Sequence, residues 1–375
     1  MQSSLKQIIK NTIIQKASPI GFDEFMDLAL YYPAKGYYSG GAQKFGEQGD
    51  FITAPETSDL FGFCLARQCA QILENDDAIL EFGAGSGVLA AQILFELGRL
   101  KKLPKTYYIL ELSAELKQRQ KHTIEQTLPE LIGRVVWLNT LPDKFSGVVI
   151  ANEVLDAMPA KRLINQGSDD ENSYFVELGV SVKNGQLVWQ ALEQPYKNNK
   201  ILLPKKVGKN YTTEVNERAM AWIDSVSKIV DKGVILLIDY GMGREEYFHP
   251  QRYEGTLRCY YRHKASDNPF KHIGEQDITT SINFSDIAEQ AKNSGFEVAG
   301  YATQAMFLIS LGIQEYLAAE KDDKKRISLA QQIKQLVLPS AMGESFKVLA
   351  LTKNTQVKLQ NTLKGFKEQD LTFKL

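Results

Sequence analysis

Five short, almost wholly apolar runs constrain this chain more than any other feature. They are Ala78-Ile79-Leu80-Glu81-Phe82, Thr106 to Leu112, Val135 to Leu138, Gly147 to Ala151 and Val234 to Tyr240. Helix-length segments such as Leu60 to Leu73, Ala90 to Leu100 and Ala114 to Thr127 separate the earlier ones. A strand that is apolar on both faces must be covered on both faces, and intervening helices supply that cover in a parallel sheet. Phe296 to Tyr301 and Phe346 to Thr352 read as two further strands. The pattern predicts an α/β fold with a mostly parallel sheet.

The rest of the chain is arranged around that core. Residues 1–60 read as a helical lead-in followed by a glycine-rich, aromatic loop, Gly36-Tyr37-Tyr38-Ser39-Gly40-Gly41. Residues 61–353 form the catalytic core, with insertions at 161–215, 241–282 and 304–340. The stretch 161–200 alternates with period two around polar turns, which predicts an inserted β-hairpin or small sheet. The stretch 241–282 is rich in Tyr, Arg, His, Gly and Pro without periodicity and reads as a loop covering a site. Residues 354–375 are a polar tail, expected to be less ordered.

The glycines after the first strand carry the chemistry. Glu81-Phe82-Gly83-Ala84-Gly85-Ser86-Gly87 lies between a strand and a helix. There the backbone can turn sharply and present free N–H groups to a ligand. A dinucleotide fingerprint would place its third glycine three residues after the second, where this chain has Val88. A Gly-x-Gly-x-Gly run with an upstream acid resembles the first motif of class I methyltransferases instead. Glu111 ends the second strand, 28 residues after Gly83, where a carboxylate can accept hydrogen bonds from two vicinal ribose hydroxyls. After the fourth strand come Asn152, Glu153 and Asp156. Two acids so close together at a strand tip are costly to desolvate unless they meet cations, and a sulfonium or a basic substrate side chain would serve.

The resemblance widens from there. Tyr37-Tyr38, the run Gly49 to Glu56, the glycine bend, Asn152-Glu153 with Asp156, Asp239-Tyr240-Gly241, Gly255 to Tyr260, Gln276 to Thr279 and Thr303-Gln304 occur in unbroken order. Together they resemble the MidA family over nearly the whole chain, although 161–200 and the tail carry no matching motif. The resemblance implies a Rossmann-like class I fold with a seven-stranded sheet and S-adenosyl-L-methionine as methyl donor, with S-adenosyl-L-homocysteine as product. It implies a donor site of Thr53, Pro55, Glu56, Glu81, Gly83, Ala84, Gly85, Gly87, Glu111, Leu112, Asn152 and Glu153. The mitochondrial members are complex I assembly factors that symmetrically dimethylate arginine. The partner implied here is thus a protein with an accessible arginine.

An arginine guanidinium stays protonated at any ordinary pH, so carboxylates must hold it in a planar fork and stabilise its charge. Glu153, Asp156, Asp50 and Asp277 are the catalytic candidates, with Glu56 a further acid. The run after the fourth strand lacks the Asn/Asp-Pro-Pro-Tyr/Phe of amide and nucleobase methyltransferases. Other readings are a methyltransferase for small molecules or other side chains, and an assembly chaperone that binds the donor without turnover.

A net charge of −1 argues against a nucleic-acid partner despite Tyr260-Tyr261-Arg262-His263, which reads as a lid over the acceptor. His263 and His272 read as exposed loop residues. Cys64, Cys69 and Cys259 lack metal-ligand spacing and read as ordinary thiols, so no metal is expected. No apolar run approaches the roughly 18–20 residues of a membrane span. The first eighteen residues contain Lys6, Lys10 and Lys16 and no arginine, unlike targeting peptides. A structural helix and a cytoplasmic protein are expected.

Overall fold

The computed structural model describes residues 4–40, 53–167, 174–355 and 363–375. Its early strands are β1 (Ala78–Phe82), β2 (Tyr107–Leu110), β3 (Val135–Leu138), β4 (Phe145–Asn152), β5 (Lys161–Asn165), β6 (Phe175–Lys183), β7 (Gln186–Pro195) and β8 (Thr212–Val215). There follow β9 (Val230–Met242), β10 (Arg258–Tyr261), β11 (Lys264–Ser266), β12 (Asp277–Thr279), β13 (Ile282–Asn283), β14 (Glu297–Thr303) and β15 (Phe346–Lys353). The chain divides into two compact units. One comprises Met1–Phe51, Leu155–Ala221 and Met242–Asp286, and the other Ile52–Val154, Trp222–Gly241 and Ile287–Leu375.

The first unit opens with two helices. In α1 (Leu5–Lys16), the Ser4 side chain caps the N-terminus by accepting from the Gln7 N–H, and Leu5, Ile9 and Ile13 make one buried stripe. In α2 (Phe22–Tyr31), Asp23 and Glu24 sit in the first turn, where they suit the helix dipole. Phe22, Phe25, Met26 and Leu30 enter a core shared with α1, Val180 of β6 and Ile278 of β12. A four-stranded antiparallel sheet has the order β7-β6-β5-β8, and the inserted stretch 161–200 supplies three of its strands, β5, β6 and β7. The segment 241–282 departs from expectation, because it holds a three-stranded antiparallel sheet, β11-β10-β12. Its β10–β11 turn is made by Arg262 and His263, both with positive φ (49° and 61°). No Gly or Asn marks that turn, so no ordinary hairpin signal announced it.

The second unit carries the large sheet, in the order β14-β15-β9-β4-β1-β2-β3. β1 to β4 and β9 pair in parallel, while β15 runs antiparallel to β9 and β14. Every residue of β1 is buried, as a central parallel strand requires. The helices α4 (Asp59–Ile72) and α5 (Val88–Arg99), which follow a short α3 (Ala54–Thr57), cover it, and α6 (Ala114–Thr127) follows β2. Register matters most for the site. Phe82 stands opposite Leu110 of β2 and Ala151 of β4, so three strands end at one level.

Residues 363–375, at the end of the polar tail, pack within the second unit. Leu363 and Phe366 are buried, Phe366 meets the Phe307 ring edge-on at 5.3 Å, and the Gly365 N–H donates to Gln68 Oε1 at 2.9 Å. Two apolar residues suffice to dock a polar segment when a core groove receives them. Phe366→Ala should therefore lower unfolding stability by about 3–5 kcal/mol, read as a shift in the urea midpoint. An unchanged midpoint would show that the tail adds nothing to the core.

Candidate active site

The parallel strands bring the bend, the β2 tip and the β4 tip together at one edge of the large sheet. Gly83, Gly85 and Gly87 have φ of 64°, 51° and 86°. A Cβ at Gly87 would lie 2.8 Å from Gln120 Cα, and one at Gly83 would lie 2.9 Å from Val154 Cγ2. Both the conformation and the space demand glycine. Gly87 also caps α5 without a side-chain hydrogen bond, leaving the first N–H groups of a twelve-residue helix for an anion or a carboxylate. Ala84 is buried inside the bend, and its carbonyl accepts from the Gly87 N–H at 2.7 Å.

Glu111 is held rather than free. Its Oε1 accepts from the Ser113 N–H at 2.8 Å, and its Oε2 accepts from Gln120 Nε2 at 3.0 Å. Each oxygen keeps a further lone pair, so the carboxylate can still take two hydroxyl donors. Gln120 escaped the sequence reading. Fully buried on α6, it also donates to the Gly85 carbonyl at 3.2 Å and accepts from Trp137 Nε1 at 3.0 Å. It therefore ties the bend, the β2 acid and β3 into one network. Its only sequence signal is its place four residues before Ile124, the other buried residue of α6. Leu112, 77% exposed, offers an apolar surface beside Glu111.

The remaining residues approach from two sides. Thr53 is the N-cap of α3, and Pro55 accepts from Gln92 Nε2 at 2.9 Å. The Glu56 carboxylate accepts a short hydrogen bond from the Ser86 hydroxyl, which joins α3 to the bend. At the β4 tip, Asn152 Nδ2 donates to Glu153 Oε1 at 3.3 Å. Asn152 Oδ1 is buried and, among the described residues, has no hydrogen-bond partner. Glu153 has φ of 53°, a left-handed backbone worth roughly 1–3 kcal/mol of strain in a non-glycine residue, held by its N–H bond to the Ile238 carbonyl at 2.9 Å. An orphaned acceptor, a glycine cradle and a two-oxygen acid fit the ammonium, carboxylate and ribose of a nucleoside amino acid.

Glu81 behaves differently from its neighbours. It is 1% exposed and accepts from the Tyr107 hydroxyl at 2.7 Å. Burial pushes its carboxyl up to about 7, although the tyrosine bond opposes the shift.

Asp156 and Asp277 lie in the first unit. Asp277 Oδ1 accepts from the Tyr38 hydroxyl at 3.0 Å and from the Ile278 N–H at 2.9 Å. The Asp156 carbonyl accepts from the Thr280 N–H at 3.1 Å, and both carboxylates are buried. Burial and then Asp277 raise the Tyr38 phenol, and burial raises Tyr260 as well, with Arg258 opposing and the same two acids adding to the shift. Asp50 lies outside the described residues. His263 and His272 are exposed, and the His272 ring stacks on Tyr261 at 3.9 Å. Among the described residues no cluster of metal-ligand type occurs, and no helix is long and apolar enough to cross a membrane.

One stability effect follows from Glu81 in the ligand-free protein. Its carboxyl rises from the ordinary 4.5 to about 7 on folding, so the folded state binds the extra proton. The penalty is absent below pH 4.5, grows as pH rises toward 7 and is complete above it, at roughly 3 kcal/mol. Glu81→Gln should flatten that slope in urea titrations between pH 4.5 and 8. An identical slope in the variant would assign the effect elsewhere.

Comparison with known proteins gives the family and the donor. Residues 64–302, more than half of the chain, match the model of a family described as S-adenosyl-L-methionine-dependent methyltransferases. A COG1565 superfamily member from Burkholderia thailandensis, crystallised with S-adenosyl-homocysteine, is 37% identical, with a TM-score of 0.91 over 99% of this chain and 96% of that one. The mitochondrial protein arginine methyltransferase NDUFAF7 homolog of Caenorhabditis elegans is 27% identical over 91% of this chain and 85% of its own length. The human protein arginine methyltransferase NDUFAF7 is 26% identical, over 90% and 81%. These relatives are named mitochondrial, which overturns the cytoplasmic expectation. Lysine spacing in the first helix reflects a packed structural element and was no guide to compartment. The chain binds S-adenosyl-L-methionine as methyl donor and belongs to the MidA family of class I methyltransferases.

Proposed function

We propose that the methyl acceptor is an arginine side chain of a protein, held by Asp156 and Asp277. The observation that carries the reading is the pair of buried carboxylates in the first unit, bordered by tyrosines. The fixed fork of a guanidinium satisfies buried carboxylate oxygens better than a compact ammonium does. Relatives named protein arginine methyltransferases support the same class. The finer form, symmetric dimethylation on a respiratory complex I-type subunit, rests on the family resemblance alone.

The donor, when bound, supplies a methyl group on a cationic sulfur. In this reading the glycine bend and the α5 N-terminus hold its amino-acid end, Glu111 its ribose and Leu112 its base. Asn152 Oδ1 accepts from a donor N–H, and Thr53, Pro55 and Glu56 close over the bend. Asp156 and Asp277 hold the guanidinium by its N–H groups and stabilise the charge that develops on it. At the β4 tip, Glu153 accepts the proton released on methyl transfer.

Labelled donor incubated with cell extract should give a labelled protein that yields dimethylarginine on hydrolysis. Label confined to small molecules would favour a different acceptor, and tight donor binding without transfer a chaperone. Gly85→Val should abolish calorimetric binding of S-adenosyl-homocysteine, whereas Glu153→Gln should leave it within about threefold and slow turnover about 100-fold. Equal losses for Glu153→Gln would confine that residue to donor binding.

A further inference from the structure

Two tyrosines outside every proposed role close a ring of contacts around the acidic pair. Tyr31 ends α2, and its hydroxyl donates to the carbonyl of Ala157, the residue after Asp156, at 3.0 Å. The Asp156 carbonyl accepts from Thr280, just beyond β12. Asp277, at the start of β12, accepts from Tyr38. Tyr38 stacks on Tyr31 with ring centroids 5.5 Å apart and planes 23° from parallel, and Tyr37 buttresses Tyr38 edge-on at 5.1 Å. The ring of contacts thus returns to its start.

Two independent features mark the place as built for a ligand. Tyr31 is 41% exposed although Tyr38 covers one of its faces, and its hydroxyl lies within electrostatic reach of Asp277 and Asp156. Thr279 alternates with Asp277 along β12 and therefore shares its face of the strand. It is 2% exposed, yet its hydroxyl has no hydrogen-bond partner among the described residues. A buried hydroxyl of that kind is rare unless something donates to it or accepts from it.

We propose that the open face of Tyr31 seats the acceptor guanidinium, with Tyr38 as the positioning residue that aims Asp277 at its edge and Thr279 accepting a remaining N–H. This deepens the arginine reading and rests on it. A planar cation can lie flat on a ring while its in-plane N–H groups reach carboxylates, which a tetrahedral ammonium cannot do. Withdrawal of both hydroxyls from water, with Asp277 and Asp156 nearby, keeps the two phenols protonated. Their task is therefore a face and a donor, not a base.

The test uses the full chain, labelled donor and the protein pool of a cell extract, with methylarginine counted after hydrolysis as pool concentration is varied. Tyr31→Leu should raise the half-saturating pool concentration about 3- to 30-fold. Tyr31→Phe, which keeps the face and loses the Ala157 bond, should restore most of that loss. Tyr38→Phe should lower the maximal rate about tenfold or more, with little change at half-saturation. Near-ultraviolet circular dichroism and unchanged S-adenosyl-homocysteine affinity check that each variant is folded. Equal impairment by Tyr31→Leu and Tyr31→Phe would reduce Tyr31 to a structural anchor. Methylarginine formed equally by all variants would overturn the seat and leave the arginine reading intact. Label on lysine or another residue in the wild type, with none on arginine, would overturn both.

Discussion

The level at which β1, β2 and β4 end governs everything on the donor side of this protein. Phe82 pairs with Leu110 and with Ala151, so the residues that follow each strand emerge side by side at one sheet edge. A slip of one residue in β1 would turn buried Ile79 and Glu81 together to the other face of the sheet and separate the glycine bend from Glu111. Parallel pairing between strands with both faces buried makes such a slip expensive. The site inherits its precision from the most deeply packed part of the sheet.

Gln120 converts that alignment into a fixed geometry. One fully buried amide donates to Glu111 and to the bend, and it accepts from Trp137. Glu111 is therefore pre-oriented with lone pairs to spare, and no side-chain freedom remains to be lost there when a ligand arrives. Glu81 works by the opposite logic. Its carboxyl lies in the core against Tyr107, where burial disfavours the ionised form. The two acids flank the same bend, one sealed in the core and the other held by hydrogen bonds at a strand tip.

In the other unit, order comes from hydrogen bonds between distant parts of the chain. Tyr31 and Tyr38, Ala157, and Thr280 belong to three separate segments, and each makes a bond that fixes the position of an acid or its neighbour. The strained left-handed backbone of Glu153 marks the β4 tip as another place where local preference yields to placement. Strain of this sort persists only where surrounding structure holds it, here the bond to Ile238 in β9.

The amino-acid sequence by itself determined the parallel core, the glycine bend and the acid at the β2 tip, because strand burial, tight turns and strand-end carboxylates leave local and periodic traces. It also marked the inserted antiparallel hairpin through its period-two alternation. The small sheet within 241–282 left no such trace, since Arg262 and His263 make a turn that glycine or asparagine usually makes. Docking of Leu363 and Phe366 was equally silent in a polar tail. Only tertiary structure decided that Gln120 bridges three elements, that Glu81 is sealed in the core, and that Tyr31 and Tyr38 stack beside Asp277. Those outcomes depend on which residues meet across long separations in the chain, and a one-dimensional pattern carries no record of such meetings.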